Sequence, residues 1–370
     1  MNKRPCVFVG TYTQPIQFGT GEILGGKGEG IYCYELDLAT GELIPAGKTT
    51  GVVNPSYLTL DASGKYLYAV NELKEFEGKS SGAVSAFAVE PGTHRLTFLN
   101  QRATDGADPC HVAVNRNNSH VFVANYSGGS VCVFPREENG SLGEASHFMQ
   151  YSGSGPDTAR QEGPHAHSLV FGPEDDYAYV ADLGTDRFMA YKPDYTKGRL
   201  EPCATPYLAS EPGAGPRFCA FHPSGRYCYL INELNSTLSA LKYDKNTGAL
   251  EVIQVVPSVV GRSSAGNTCA DVLVSPDGQF LYGSNRGADS IVIYKINPQD
   301  GGLTYAGTEP SGGRTPRSFA LDPTGAYLLV GNQDSDNISV FSVDSRSGGL
   351  KKVSEAAVPA PVCIKPYFMD

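Results

Sequence analysis

Short apolar runs, rich in aromatic and β-branched residues and broken by turn-forming residues, recur along the whole chain. In residues 215–233, an apolar run that follows Arg217 leads through the turn dipeptide Ser224-Gly225 into a second run, which stops at Glu233. This pattern predicts two antiparallel strands joined by a tight turn. Because such strands bring the start of the first and the end of the second to one edge, we expect Arg217 and Glu233 to lie together.

Five further segments repeat this hairpin at intervals of 46 to 56 residues, a spacing typical of β-propeller blades. The first strands of the six copies begin at Ser56, His111, His167, Arg217, Asp271 and Arg317. Each second strand stops at an Asn or Asp, which we interpret as a strand-terminating residue. The positions that follow this Asn or Asp are Glu72, Tyr126, Leu183, Glu233, Arg286 and Gln333.

The outer half of the repeat, two further strands, occurs seven times, whereas the inner hairpin occurs six times. The missing hairpin can be assembled from residues 6–10 and residues 361–365, one strand from each end of the chain. The sequence therefore predicts an all-β, seven-bladed β-propeller of four-stranded antiparallel blades, closed by pairing of the N- and C-terminal strands. No linker or shift in composition divides the chain, so we expect residues 1–370 to form a single propeller domain.

The two columns of hairpin-end residues predict a functional site at one mouth of the central channel. A structural column would repeat one residue type, but these positions carry histidine, arginine and carboxylate side chains. A single histidine here is more often a packing residue, and a single arginine can pair with a nearby carboxylate. Their convergence favours function, and several arginines in one cleft favour a phosphate or carboxylate substrate. The candidates are His111, His165, His167, Arg217, Glu233, Arg286 and Arg317.

Charge and cysteine content narrow the class of protein further. A formal net charge of -10 argues against nonspecific nucleic-acid binding. The nine cysteines include no C-x-x-C pair and mostly occupy apolar runs, which predicts buried thiols in a reducing compartment, the cytoplasm. The first apolar run is too short for a signal peptide, and no stretch approaches membrane-spanning length. We expect no nucleic-acid or membrane partner, and the oligomeric state stays open.

The sequence gives only weak indications of a serine nucleophile, a phosphate-binding loop or a metal site. Ser168 lies outside any G-x-S-x-G turn, so no activated serine is evident. Residues 19–30 are glycine-rich but lack the Lys-Ser/Thr ending of a phosphate-binding loop, and we interpret them as a flexible flap over the mouth. Metal binding remains a minor alternative, because the spacing of its candidate ligands matches no metal motif. Those ligands would be His111, His165, His167, Asp182 and Asp271.

Several segments resemble the seven-bladed propeller lactonase family, which includes bacterial 6-phosphogluconolactonases and fungal carboxymuconate lactonising enzymes. The resemblance lies in the Arg-Gln-x-x-x-His-x-His pattern within residues 155–167, in the Gly-Pro-Arg strand start, and in the Asn-Glu and Asn-Arg strand ends. It implies lactone chemistry without a metal or cofactor. It also implies a catalytic set of His167, Arg217, Glu233 and Arg286. As substrate-binding residues we expect Arg160, Gln161 and His165 from the matched loop, with His111 and Arg317 from the mouth.

These expectations combine into one functional hypothesis. The protein would hydrolyse 6-phospho-D-glucono-1,5-lactone in the pentose phosphate pathway, a small anionic sugar lactone, at the channel mouth. His167, aided by Glu233, would activate water, Arg217 would stabilise the oxyanion, and Arg286 and Arg317 would hold the phosphate. The alternatives are a carboxymuconate-type lactonising or delactonising enzyme and a noncatalytic interaction propeller.

Overall fold

The computed structural model describes residues 4–17 and 21–368, which form seven four-stranded antiparallel sheets and one short hairpin. In chain order the strands are β1 (Cys6–Thr11), β2 (Ile16–Gln17), β3 (Ile23–Leu24), β4 (Gly30–Leu36), β5 (Leu43–Thr50), β6 (Leu58–Leu60), β7 (Tyr66–Asn71), β8 (Ala83–Val89), β9 (Leu96–Ala103), β10 (Pro109–Val114), β11 (His120–Asn125), β12 (Ser130–Pro135), β13 (His147–Gln150), β14 (Ala166–Phe171), β15 (Ala178–Asp182), β16 (Arg187–Asp194), β17 (Arg199–Ala209), β18 (Pro216–Phe221), β19 (Tyr227–Asn232), β20 (Thr237–Tyr243), β21 (Leu250–Pro257), β22 (Thr268–Val274), β23 (Phe280–Arg286), β24 (Ser290–Ile296), β25 (Leu303–Pro310), β26 (Pro316–Leu321), β27 (Tyr327–Asn332), β28 (Asn337–Val343), β29 (Leu350–Ala357) and β30 (Pro361–Tyr367).

The sheets are the blades of a seven-bladed propeller, as predicted. Blade 1 has the strand order β30-β1-β4-β5, and blades 2 to 7 each use four strands in sequence, from β6–β9 through to β26–β29. The inner strands of neighbouring blades touch one another around a closed ring, β6, β10, β14, β18, β22, β26, β30 and back to β6. The pairing of β1 with β30 confirms that the two ends of the chain close the ring.

Helix is nearly absent from the described part of the chain. The one helical element there is a single 3₁₀ turn at Gln333–Ser335. No helix in residues 4–17 or 21–368 has the length and apolar character needed to span a membrane.

The turn inside each inner hairpin follows the sequence prediction. At each of these six turns one residue has a positive φ, between 58° and 74°, a conformation that Gly, Asn and Asp adopt most readily. These residues are Gly64, Asn118, Asp175, Gly225, Gly278 and Gly325. The turn sequences therefore fix the hairpins that line the channel.

Apolar side chains between adjacent blades form the core, and buried tyrosines connect the blades. The Tyr179 hydroxyl of blade 4 donates a hydrogen bond of 2.6 Å to the carbonyl of Gly248 in blade 5. Tyr68, Tyr229 and Tyr282 make the equivalent bond to the next blade. All nine cysteines are free, and eight of them are buried, as predicted.

The Asn residues at the strand ends have the structural role expected of them. The Asn125 amide donates to the carbonyl of Thr104, and the Asn285 amide donates to that of Ser258. In both cases the acceptor precedes the blade, so the bond ties the channel-lining hairpin to the connection between blades. The residue that follows each Asn is thereby held at the channel mouth.

A β-bulge at the start of most inner strands turns one side chain toward the channel. In blade 4, Ala166 pairs with Asp182 and Ser168 with Ala181, so His167 is the extra residue. Arg217 and Arg317 occupy the same bulge position in blades 5 and 7. A bulge redirects the side chain it carries. These three residues therefore lie at one level of the channel.

The predicted register is wrong by one residue in blade 3. There Pro109 pairs with Asn125 and His111 with Ala124, so the bulge residue is Cys110. His111 consequently lies one position further along its strand than His167 does, and so does Asp271 in blade 6, where Cys269 pairs with Asn285. Because neighbouring strand residues face differently, this shift decides which cavity His111 contacts.

Candidate active site

Two adjoining cavities lie at the channel end where the second strands stop. The larger, which we call the mouth cavity, has a volume of about 290 Å³, and Arg160, Glu233 and Arg286 are among its lining residues. The smaller, which we call the deep cavity, has a volume of about 20 Å³ and is lined by residues that include Ser56, His111, Arg217 and Asp271. Four residues line both cavities and so mark their boundary: Glu72, Cys110, His167 and Arg317.

Glu233 is the centre of a buried ion-pair cluster. Its Oε1 atom lies 2.5 Å from Arg160 Nη2, and its Oε2 atom lies 2.9 Å from Arg217 Nε and 2.8 Å from Arg286 Nη2. Arg217 also donates to the carbonyl of Ala270. One carboxylate thus holds three guanidinium groups, contributed by the loop before blade 4 and by blades 5 and 6. The predicted proximity of Arg217 and Glu233 is confirmed.

The electrostatics of the cluster favour its charged form. Burial by itself raises the pKa of Glu233, but the charges of Arg286, Arg160 and Arg217 outweigh burial and hold that pKa well below its usual range. Burial, together with the charges of Arg217 and Arg317, lowers the pKa of Arg286 to about 10 despite its pairing with Glu233. Three positive charges face one negative charge, so the cluster retains an excess of positive charge.

His167 is buried beside the cluster and uncharged at neutral pH. Burial, and then the charge of Arg217, lower the pKa of His167 well below its usual range. Its ring packs edge-on against Tyr126, with the ring centroids 5.6 Å apart, and its carbonyl accepts a hydrogen bond of 3.2 Å from the Cys110 thiol. A neutral imidazole can orient a polar group, but this low pKa makes it a weak base.

The loop that precedes blade 4 presents Arg160 to the mouth cavity. Gln161 is fully buried, and its amide donates to the Leu183 carbonyl at 2.9 Å and to Asp186 Oδ1 at 2.8 Å. His165 stacks on the ring of Tyr126 and donates from Nδ1 to the carbonyl of Tyr126. Neither Gln161 nor His165 is among the lining residues of the two cavities. Their contacts anchor the loop, whereas Arg160 reaches the cavity.

His111 and Asp271 lie below the level of His167. The His111 ring contacts the rings of Tyr57 and Phe218, at centroid distances of 4.3 and 5.3 Å, and its Nδ1 accepts from the backbone N–H of Leu169. Both His111 and Asp271 line the deep cavity but not the mouth cavity. The aromatic packing of His111 separates it from the larger cavity, where a substrate of sugar size would fit.

Glu72 is a buried carboxylate at this site that the sequence did not single out. It follows β7, lines both cavities, and accepts a hydrogen bond of 3.0 Å from the hydroxyl of Tyr12. Burial raises the pKa of Glu72 to about 7, although the charge of Arg317 opposes the shift. Its position after the strand-ending Asn71 was visible in the sequence. The neighbours that set its pKa come from other blades, and the sequence does not show that they lie near Glu72.

The weaker chemistries predicted from the sequence find little support. Among residues 4–17 and 21–368, no group of three or more His, Cys, Asp or Glu side chains is arranged to hold a metal ion.

The glycine-rich segment begins at Gly19 and Thr20, which lie outside the described residues. Within it, β3 pairs with the preceding strand β2, and Glu22 lines the mouth cavity together with Gln17 of β2. The described part of this segment therefore borders the mouth, and its role as a flexible flap stays a prediction.

The ring of blades thus holds a cluster of arginines and carboxylates around a small cavity, an arrangement with the shape and charge of a candidate site for an anionic ligand. The chain matches the family described as "Lactonase, 7-bladed beta-propeller" over residues 6–366. It is 36% identical over 298 residues to the 6-phosphogluconolactonase of Bacillus subtilis, covering 80% of this chain and 79% of the relative. The 6-phosphogluconolactonase of Formosa agariphila is 33% identical and covers 84% of each chain.

Solved structures agree with these sequence relatives. A protein of Bacteroides fragilis superposes with a TM-score of 0.89 at 36% identity, covering 99% of this chain and 98% of its own. The periplasmic gluconolactonase of Pseudomonas aeruginosa superposes with a TM-score of 0.88 at 30% identity, covering 99% of each chain. The chain belongs to the seven-bladed β-propeller lactonase family, and it is a lactonase, a carboxylic ester hydrolase.

Proposed function

We propose that this lactonase hydrolyses 6-phospho-D-glucono-1,5-lactone to 6-phosphogluconate, a step of the pentose phosphate pathway. The observation that supports this substrate is the charge of the site. Glu233 offsets only one of the three guanidinium charges that contact it, so the mouth cavity can accept a further anionic group. The cavity volume of about 290 Å³ suits a single sugar-sized molecule.

The positions of the arginines indicate which of them bind the phosphate and which contacts the lactone carbonyl. Arg160 and Arg286 line the mouth cavity but not the deep cavity. They bind the phosphate, because guanidinium groups match phosphate oxygens. Glu72 and Asp108 also line this cavity and repel a phosphate, which directs it to the arginine side. Arg317, expected from the sequence to bind phosphate, lies at the boundary between the cavities. Its place there favours contact with the lactone carbonyl.

Chemistry takes place at the boundary of the two cavities. Arg217 from below and Arg317 from the side stabilise the oxyanion that forms when water adds to the carbonyl carbon. His167, neutral at this position, orients the carbonyl group or the attacking water. Glu233 keeps Arg160, Arg217 and Arg286 in place. δ-Lactones also hydrolyse without a catalyst, so a modest rate enhancement is sufficient and no covalent nucleophile is required.

The test is hydrolysis of the phosphorylated lactone, measured against the spontaneous rate. Wild-type protein should exceed that background, and Arg286→Ala should raise KM for the phosphorylated lactone but not for glucono-1,5-lactone. A wild-type rate equal to the spontaneous rate would exclude this substrate. An equal effect of Arg286→Ala on both lactones would remove Arg286 from the phosphate-binding role.

Related lactones serve as comparison substrates. The same arginines would attract the carboxylates of a carboxymuconate-type lactone, and the Pseudomonas aeruginosa relative is described as a gluconolactonase. Ranking the three lactones by kcat/KM assigns the substrate, and we expect the phosphorylated sugar lactone to rank first. We further propose a cytoplasmic location, which the nine free thiols support.

A further inference from the structure

The deep cavity has the size and polarity of a site for one water molecule. Its volume of about 20 Å³ exceeds the roughly 10–15 Å³ that a single water needs. The buried hydroxyl of Ser56 lines it and interacts with the carboxylate of Glu72, where it lowers the pKa of that group. Glu72, His167 and Arg217 also line it and supply further polar contacts. A water here would lie directly beneath the mouth cavity.

Glu72 is the carboxylate that faces both this water site and the substrate cavity. It lies in blade 2, and its neighbours come from separate elements: Tyr12 after β1, Arg317 in β26, and Asp108 and Cys110 at the start of blade 3. Tyr12 donates to Oε2 of Glu72 at 3.0 Å. Burial raises the pKa of Glu72 to about 7, Arg317 lowers it and Asp108 raises it.

Three other titratable groups of the site are poorly suited to accept a proton. The carboxylate of Glu233 is engaged by three guanidinium groups, and its pKa lies well below the usual range. His167 likewise has a pKa well below its usual range. His111 is packed between aromatic rings and uses Nδ1 to accept a backbone hydrogen bond. Efficient general bases have a pKa near the working pH, a condition that Glu72 meets.

We propose that Glu72 is the general base of the lactonase reaction and takes a proton from a water held in the deep cavity. The proposal rests on the proposed function. The water oxygen bonds to the carbonyl carbon, the carbonyl electron pair moves to the oxygen beside Arg217 and Arg317, and Glu72 receives the proton. The carbonyl then reforms, the bond to the ring oxygen breaks, and Glu72 returns its proton to that oxygen, which becomes a hydroxyl. The carboxylic acid product ionises to solvent.

Glu72→Gln tests this role because it keeps the shape of the side chain and removes its basicity. We expect kcat to fall by about 100-fold or more, the usual contribution of a general base, with product affinity within about twofold of wild type. The wild-type kcat should rise with pH through about 7, since Glu72 must be ionised, and this rise should be absent in the variant. Glucono-1,5-lactone is measured in parallel, because a phosphate group itself titrates near pH 6.

Tyr12→Phe provides a second test that retains the base. The Tyr12 hydroxyl stabilises the ionised carboxylate, so its loss should move the midpoint of the kcat profile to higher pH. Melting curves of both variants establish that they are folded.

The outcomes separate this inference from the proposed function. Failure of wild-type protein to hydrolyse the phosphorylated lactone would overturn the proposed function. An active wild type would overturn the role of Glu72 in either of two cases: Glu72→Gln keeps its rate and its pH profile, or Tyr12→Phe leaves the midpoint unchanged.

Discussion

Replacing Glu233 by Gln is the sharpest test of the ion-pair cluster. In the native site Oε1 accepts from Arg160, and Oε2 accepts from Arg217 and Arg286. Glutamine has one acceptor oxygen, and its NH₂ group can only donate. At least one guanidinium would therefore face a donor, and three positive charges, one buried and two largely buried, would lose their counterion.

The expected loss of stability is large for an isosteric change. Removing one partner of a buried ion pair costs about 3–5 kcal/mol. At about 2.1 cal/mol/K of unfolding entropy per residue, a chain of 370 residues should lose about 4–6 °C in melting temperature. Glu174→Gln is the control, because the Arg116–Glu174 pair is exposed and spans 3.1 Å. Such a surface pair contributes less than about 1 kcal/mol, which corresponds to about 1 °C.

Calorimetric melting in a buffer of low anion content measures both variants. Added inorganic phosphate should raise the melting temperature of Glu233→Gln more than that of wild type, because the anion replaces the missing negative charge. If Glu233→Gln melts within about 1 °C of wild type without phosphate, Glu233 does not hold the arginines together. If phosphate stabilises neither protein, the anion-binding assignment of the mouth cavity is wrong.

Other perturbations test single parts of the site. Gln161→Ala removes two buried hydrogen bonds from the loop that carries Arg160, about 1–3 kcal/mol, and should raise KM by about tenfold in steady-state assays. Arg317→Gln should lower kcat by about 100-fold with little change in KM, because an oxyanion contact acts in the transition state. Burial raises the pKa of Glu72, so the contribution of Glu72 to stability should fall as pH rises from about 4.3 through about 7. Chemical denaturation should show this fall as a difference between the pH profiles of wild type and Glu72→Gln. The arginine partners of Glu233 lower its pKa, so the stabilising contribution of Glu233 should be complete above about pH 4.3. This contribution should be lost on further acidification of the wild type, and Glu233→Gln should not show that loss.

The ring of blades was predictable because each blade carries its own local signals. Turn residues with positive φ, aromatic second strands and strand-ending Asn residues repeat along the chain, and the mismatch between six hairpins and seven outer halves forces closure through the termini. Such signals depend only on neighbours in sequence. The pairing of Arg217 with Glu233 was predictable for the same reason, since both belong to one hairpin.

The register of the inner strands was harder to predict, because a bulge adds a residue without an obvious sequence mark. Cys110, not His111, takes the bulge position of blade 3, and a cysteine attracts less notice than the histidine beside it. The buried amide of Gln161 is a similar case. The resemblance of its loop to the lactonase family implied contact with substrate, whereas the side-chain amide donates two hydrogen bonds to blade 4 that fix the loop.

Two carboxylates at the same kind of strand end acquire opposite properties from what surrounds them. Glu233 and Glu72 each follow a strand-ending Asn, and both are buried. Three guanidinium groups contact Glu233 and keep it ionised, so it can hold like charges together before the substrate binds. Glu72 accepts a neutral hydroxyl and lies near Asp108, so burial raises its pKa toward neutrality. Environments that drive two pKa values apart separate an electrostatic role from a proton-transfer role. In a propeller, the residues around each carboxylate come from different blades, and these residues decide which of the two roles the carboxylate takes.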